Sequence, residues 1–354
     1  MESVDRYLGC LLAGAVGDAL GAGVEFSSLH DILAHHGATR RHEGGPLGLR
    51  RYVPAYGRRG AITDDTQMTL FTAEGLLRAH NRRLASGWDD PTSAVYRAYL
   101  RWFDTQRLSS PPPRPDGWLA SLPALYARRG PGNTCLSALR AGIMGTVERP
   151  INNSKGCGGV MRVAPVGLTS GWDPFELGCA TAAITHGHPL GWLSAGFVAQ
   201  VVRSILEGRS LSRAVDAGLR RLRGRPGAEP LVTLVDRAMS LAELGDPSPE
   251  ELSTLGEGWV AEETVAIALY CAASVDALED GLALAVLHSG DSDSTGAVTG
   301  HLLGTLHGVD AIPGAWLDEL ELADAVRQVA LDLHAHFAEP GFETSEADWN
   351  RYPG

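Results

Sequence analysis

Apolar residues recur at helical spacing along nearly the whole of this chain, and no alternating run of β-branched residues extends beyond about four positions. That property argues against a sheet-based fold and for an all-α one. Leu8, Leu11, Leu12 and Ala15 share one face of a first helix, and Gly14, Ala15, Gly17 and Ala19 would let it pack closely on a neighbour. The stretch DTQMTLFTAEGLLRAH (65–80) is the clearest amphipathic segment, with Met68, Leu70, Phe71 and Leu76 as the inward positions. Further helices are expected near 92–103, 133–146, 174–185, 189–207, 210–222, 229–243, 260–279, 294–307 and 316–337. Gly and Pro punctuate the connections 37–60, 108–117, 147–158 and 223–228; the first is long for a loop in a compact domain, as functional or mobile loops are. No repeat of fixed period and no internal boundary interrupts the pattern. Residues 1–354 therefore read as a single compact orthogonal bundle of many short helices.

The hydrophobic fraction of 44% supplies a sizeable core, and 20% charged residues are too few and too dispersed for a disordered chain. A net charge of −12 argues against a general nucleic-acid partner, which would meet a basic surface. The five cysteines (Cys10, Cys135, Cys157, Cys179, Cys271) are scattered, odd in number and free of CxxC pairs. They indicate neither a zinc site nor a disulfide framework, but a reducing, cytoplasmic setting. The N-terminus MESVDRYLG lacks a signal-peptide pattern, and no segment of ~20 apolar residues reads as a membrane span. The chain is expected to be monomeric. Its one lysine is Lys155.

Two acidic stretches carry the chemistry. GAITDDTQMT (60–69) places Thr63, Asp64, Asp65 and Thr66 where a loop enters a helix. HSGDSDSTG (288–296) interleaves Asp291 and Asp293 with Ser292 and Ser294, between two apolar runs. Each alone is explained by helix capping, since Asp, Ser and Thr are preferred caps and carboxylates suit the positive end of a helix dipole. A cap needs one oxygen, however, and two over-supplied caps in one chain are unusual. If the fold joined them, four carboxylates would repel one another unless cations neutralised them. The donors are all oxygen, which points to Mg²⁺, Mn²⁺ or Ca²⁺ rather than zinc. Thr63, Asp64, Asp65, Asp291, Asp293 and Ser294 would suit two ions sharing a bridging carboxylate. The second stretch also resembles the DxDxT motif of haloacid dehalogenase-like phosphatases. That motif follows a buried strand and needs a downstream lysine; here His288, Ser289 and Gly290 precede it and Lys155 lies far upstream.

Together with GCLLAGAVGDALGAGVEF (9–26), NNSKGCGGVMRVAPVGL (152–168), ITHGHPLGWLSAGFVA (184–199) and GWVAEETVAIALY (258–270), these stretches resemble the ADP-ribosylglycohydrolase family, in the family's order and over residues ~5–310. The resemblance implies an all-α fold with a binuclear Mg²⁺ or Mn²⁺ cleft, and hydrolysis of the bond between C1″ of ADP-ribose and an acceptor. It implies Thr63, Asp64, Asp65, Asp291, Asp293 and Ser294 as metal ligands. Many members have DTDT where this chain has Asp291-Ser292-Asp293-Ser294; a serine hydroxyl still ligates. GDSDSTG and NNSKGCG look most like the arginine-specific branch. The implied substrate is an ADP-ribosyl-arginine protein and the implied product ADP-ribose.

A glycine-rich loop offers backbone N–H groups to a diphosphate because no side chain intervenes. Ser154, Lys155, Gly156, Cys157 and Gly158 fit that role, with Lys155 either adding charge to a phosphate or simply solvated. The resemblance assigns His186 a contact to ADP-ribose and Glu25 a place beside the first metal or in a gate over it; a surface charge after the first helix is the plain alternative for Glu25. Trp259 could stack on adenine or a ribose, or be core. His188 is left as a capping or surface residue, and Arg162 as a loop anchor paired with a carboxylate. A carboxylate, Asp65 or Asp64 before Asp291, would take a proton from the attacking water, and the base is not assigned uniquely. Open alternatives are another linkage (serine, O-acetyl-ADP-ribose, nucleic acid), a silent ADP-ribose-binding homologue, and a two-metal phosphoesterase. The physiological role would be regulation of a cellular enzyme or immunity to an ADP-ribosylating toxin.

Overall fold

Residues 3–354, described by a computed structural model, form seventeen α-helices and, among those described, no strand. Three isolated β-bridges are the only extended pairings among the described residues. Many helix starts follow directly from local chemistry. Pro91, Pro174 and Pro249 open helices whose first N–H groups are accepted by Asp90, Asp173 and Ser248. His188 does the same for Pro189–Leu206, its Nδ1 accepting from Leu190 N–H at 3.1 Å, which settles its capping role.

The helix boundaries depart from periodicity in identifiable ways. The expected 133–146 helix ends at Arg140. The expected 260–279 helix stops at Ala273, and a separate one runs Leu278–Ala285. At the break Ser274 Oγ donates to the Tyr270 carbonyl at 2.7 Å, an interaction that competes with helix continuation. The expected 316–337 helix is two, Gly314–Glu319 and Ala323–Ala338. Between them Leu322 is left-handed at φ 59°, and Glu321 N–H is drawn to the Gly60 carbonyl at 2.8 Å. Short helices Leu29–His35 and Glu346–Arg351 form where no period was legible.

The segment 37–60 is tied down along its length. Arg50 and Arg41 pair with Asp280, and Leu49 N–H donates to the Ala283 carbonyl at 2.9 Å. Against the expectation of no spanning segment, one helix, Pro189–Leu206, is long and apolar enough to cross a membrane by length and composition alone; 78% of it is buried, as a core helix would be.

The most extensive helix contact joins Val4–Gly21 to Ser292–His307. Gly9, Gly17 and Gly21 lie on one side, and Gly296, Gly300 and Gly304 on the other. A Cβ on Gly17 would stand 2.0 Å from the Gly296 carbonyl oxygen, one on Gly300 2.1 Å from that of Ala13, and one on Gly9 2.2 Å from that of Gly304. The pairing runs antiparallel, so the end of the first helix meets the start of the later one: a Cβ on Gly21 would be 2.3 Å from Ser292. Only glycine permits this approach. The buried apolar residues form one contiguous cluster around it, from Tyr7 to Tyr352.

Candidate functional site

The glycine-lined helix pair brings the two acidic stretches together. Asp18, fully buried near the end of the first helix, accepts the Thr63 N–H with both oxygens at 3.0 Å and the Thr66 N–H at 3.1 Å. The Thr66 hydroxyl donates to it as well. Asp18 thus fixes the start of helix Asp64–Ser86, one turn before the Gly21–Ser292 contact. Asp64 and Asp291, 227 positions apart in sequence, share this corner. Asp18 was missed by sequence reasoning. Its signal was a lone carboxylate in the small apolar run LLAGAVGDALG.

Capping accounts for part of each stretch. Thr63 Oγ1 accepts from Asp65 N–H at 3.2 Å, and Asp291 Oδ1 from Ser294 N–H at 3.3 Å. The remaining carboxylates are more than caps require. Asp64, Asp65, Asp291 and Asp293 are all buried. Burial, then the charge of Asp293, holds the Asp64, Asp65 and Asp291 carboxyls well above the usual carboxylate range. Burial and Asp293 raise Asp18 to about 7. Glu25 does not sit free at the surface. Burial, then Asp293, Asp291, Asp64 and Asp18, push it up to about 10. A Cβ built on Gly130 would lie 3.8 Å from both Asp64 Oδ1 and Glu25 Oε2.

Each carboxylate also has its own neighbour. Gly132 N–H donates to Asp64 at 3.3 Å, the Thr63 hydroxyl to Asp65 at 3.3 Å, and the Cys157 thiol to Asp291 at 2.8 Å. Among the described residues no group of three or more His, Cys, Asp or Glu side chains stands arranged to hold a metal ion. Coordination would therefore exchange some of these bonds. The donors suit a hard divalent cation: carboxylates and hydroxyls, with Asp65 Oδ1 buried and lacking any hydrogen-bond donor. Ser294 Oγ donates weakly to the Met161 sulfur, 3.8 Å away.

The glycine-rich loop lies against this corner. Gly156 bridges to Val260, Cys157 N–H donates to the Trp259 carbonyl at 3.2 Å, and Asp291 N–H to the Glu257 carbonyl at 2.8 Å. The 257–260 turn is thus a spine shared by the loop and the second acidic stretch. Gly156 N–H is used internally, by Ser154 Oγ at 3.3 Å. Ser154 Oγ also meets Thr134 Oγ1 at 3.1 Å. Lys155 Nζ pairs with the buried Glu262. A Cβ on Gly158 would press on the His186 ring at 3.0 Å.

His186 is buried behind the loop, and burial followed by the Arg162 charge lowers it to about 3, so the ring is neutral. Its Nδ1 meets Thr185 Oγ1 at 2.8 Å, and Arg162 donates to that same oxygen at 2.7 Å. Nε2 faces Gly156 and Gly158. Arg162 itself corrects the sequence reading. It is 1% exposed and has no carboxylate partner among the described residues; it lies over the Tyr99 ring at 4.1 Å and donates to Met68 and Cys135 sulfurs at 3.3 Å.

Aromatic residues rim the corner. Trp259 is half-buried and stacks on Phe26 with centroids 5.2 Å apart, so it is not core. Phe26 is left-handed at φ 66° and 76% exposed. Tyr56 is left-handed at φ 50°, and burial followed by Glu25 and Asp293 raises its phenol. The Arg129 guanidinium lies 4.9 Å from the Tyr56 ring centroid, and the Arg129 carbonyl accepts Asp64 N–H at 2.9 Å. Phe26 ends the 9–26 stretch but had no role assigned from sequence, and Tyr56 and Arg129 lie outside every motif read there.

A family model described as ADP-ribosylglycohydrolase matches residues 1–342. An ADP-ribosyl-(dinitrogen reductase) glycohydrolase of Rhodospirillum rubrum is 29% identical, over 96% of this chain and 98% of its own length. An ADP-ribosylarginine hydrolase Tri1 of Serratia proteamaculans is 26% identical, over 94% of this chain and 80% of its own. ADP-ribosylhydrolase ARH3 of Mus musculus is 25% identical, over 96% and 93%. A solved ADP-ribosylglycohydrolase-related protein complex superposes with a TM-score of 0.66 at 27% identity, covering 95% of this chain and 99% of that one.

Proposed function

The chain belongs to the ADP-ribosylglycohydrolase family of hydrolases, and on that premise we propose that it removes ADP-ribose from modified arginine side chains of proteins, dependent on Mg²⁺ or Mn²⁺. One observation carries the proposal furthest: Asp64, Asp65, Asp291 and Asp293 converge as buried, mutually repelling carboxylates, with Asp65 Oδ1 unpartnered. Such a cluster is stable at neutral pH when cations offset its charge. Thr63, Asp64, Asp65, Asp291, Asp293 and Ser294 would hold two such ions. The arginine linkage draws support from two relatives whose names specify ADP-ribosyl-dinitrogen reductase and ADP-ribosylarginine.

Bound divalent ions would supply charge stabilisation and acidify a water at the sugar carbon. The chain's own groups do the rest. Asp65 or Asp64 accepts the water's proton as the C1″–N bond lengthens and the ribose gains oxocarbenium character. Asp291, with a thiol donating to one oxygen, stays oriented towards the same corner. The loop at Gly158, held against His186, receives the diphosphate, and neutral His186 donates one hydrogen bond without adding charge. Glu25 and the Phe26–Trp259 pair line the rim, where an incoming guanidinium would meet a carboxylate and aromatic faces.

The test is release of intact ADP-ribose from an ADP-ribosyl-arginine protein, with Mg²⁺ and with EDTA, beside Asp291→Ala. Metal-dependent release by the wild type and loss in the variant is the expected result. Release only from serine-linked, O-acetyl or nucleic-acid substrates would overturn the arginine assignment. Undiminished release by Asp291→Ala would overturn the site.

A further inference from the structure

At the far end of helix Asp64–Ser86, about 21 Å from Asp64 at 1.5 Å per residue, the structure gathers arginines around a second cavity. It measures about 260 Å³ and is lined by Arg78, Arg82, Arg97 and Arg101, with Asp116 and the Pro353–Gly354 backbone closing it. Arg78 and Arg82 are four residues apart on one helix, and Arg97 and Arg101 four apart on the next, Pro91–Thr105. Like charges at that spacing destabilise a helix. Here two such pairs face one cavity.

Two of the four guanidiniums are neutralised within the chain. Arg78 donates to Glu74 and Asp116 at 3.0 Å each, and Arg101 to Glu74 at 2.9 Å and Asp116 at 3.2 Å. Glu74 is fully buried beneath them. That closes a box of two cations and two anions. Arg82 and Arg97 are left over: neither has an ion pair or a side-chain hydrogen bond among the described residues. The buried Nε of Arg78 also has no acceptor. Burial, then Arg82, lower the Arg97 guanidinium against the opposing pull of Asp90, with Arg101 and Arg78 adding to the effect.

We propose that this cavity is a binding site for a small phosphate anion, with inorganic pyrophosphate the size that fits. Its volume is below the ~300 Å³ at which pockets admit drug-sized ligands, so a whole nucleotide is too large. The Arg82 and Arg97 forks match phosphate oxygens in pairs, and a multiply charged anion removes the repulsion that they now carry. The site stands apart from the acidic corner and does not depend on the hydrolase assignment.

Calorimetric titration of the metal-free full chain with pyrophosphate in EDTA, at fixed ionic strength, tests it. Wild type is expected to bind, and Arg82→Gln/Arg97→Gln to bind at least ~10-fold more weakly, since two charge-assisted contacts are lost. These substitutions break no ion pair, so the variant should melt no lower than wild type. Arg97→Gln alone, at an exposed position, keeps the test open if the double variant does not fold; a weakening of about 3-fold or more is expected there. A component contributed by the glycine-rich loop would survive in every variant. Identical isotherms for wild type and variants, or binding no tighter than chloride, would overturn the proposal.

Discussion

At the scale of single residues, the site depends on which polar atoms the fold leaves unsatisfied. Capping consumes Thr63 Oγ1 and one oxygen of Asp291, while Asp65 Oδ1 has no donor. Asp65→Asn should therefore lower ADP-ribose release by ~100-fold or more, on the scale of a lost general base, and should also lack the rise in melting temperature with Mg²⁺ that is expected of the wild type on the proposed reading. Retention of that metal-induced shift in the variant would remove Asp65 from the ligand set. His186 plays a different part. Its ring is neutral, lowered to about 3, so it contributes positioning and no proton transfer between pH 5 and 8. His186→Ala should raise KM for ADP-ribosylated substrate about tenfold and leave the pH profile of kcat unmoved. A shifted kcat profile would show that the ring titrates during turnover.

At the scale of elements, the contact between Val4–Gly21 and Ser292–His307 sets the spacing of the two acidic stretches. Its faces are backbone against backbone, so one added methyl must push the helices apart. Gly300→Ala puts a Cβ 2.1 Å from the Ala13 carbonyl oxygen, whereas Gly314→Ala meets nothing within 4 Å. The first should cost about 1–3 kcal/mol or more and reduce hydrolysis beyond what stability explains. The second should be silent in both. Thermal melts and single-turnover assays on the two variants make the comparison. Equal stability of Gly300→Ala and wild type would mean the helices are free to slide, and the corner would then need another source of register.

Across the whole molecule, helix Asp64–Ser86 links the acidic corner to the C-terminal helix Ala323–Ala338 through a histidine pair, His80 on the first and His336 on the second. His80 Nδ1 and His336 Nδ1 are 3.1 Å apart, so one donates and the other accepts. Burial, then Arg83, lower His80 to about 4 against the opposing pull of Asp89, while burial, then His80, lower His336 to about 3 against Asp348. In the unfolded chain both titrate near 6.5. At these two sites the unfolded state thus binds more protons between about pH 6.5 and 4, and the pair's contribution to stability rises with pH across that window. The contribution is fully present above 6.5 and is lost as pH falls towards 4. The raised carboxyls of the acidic corner, Asp18 and Glu25 among them, act in the opposite sense, so the pair is read by difference: from pH 7 to 5 the melting temperature of the wild type should fall relative to that of His80→Gln. Parallel slopes would place the acid sensitivity elsewhere.

Much of this was legible in the linear chain. Helical periodicity without alternating runs specified an all-α fold, because the spacing of apolar residues decides which local structure can bury them. Paired carboxylates with hydroxyls marked an oxygen-donor corner, because these are properties of neighbours in sequence. Other features depend on residues far apart and had no local mark. Asp18 organises Thr63 and Thr66 from 45 and 48 positions away. The break at Leu322 follows a bond to Gly60, and Arg162 lies buried over Tyr99 without the carboxylate expected for it. Segment 37–60 looked loose by composition and is held by Asp280 and Ala283. The sequence by itself determined which groups exist and which helices they start; only tertiary packing decided which of those groups meet, because a charge or an unsatisfied oxygen acts on whatever the closed core brings within a few ångströms of it.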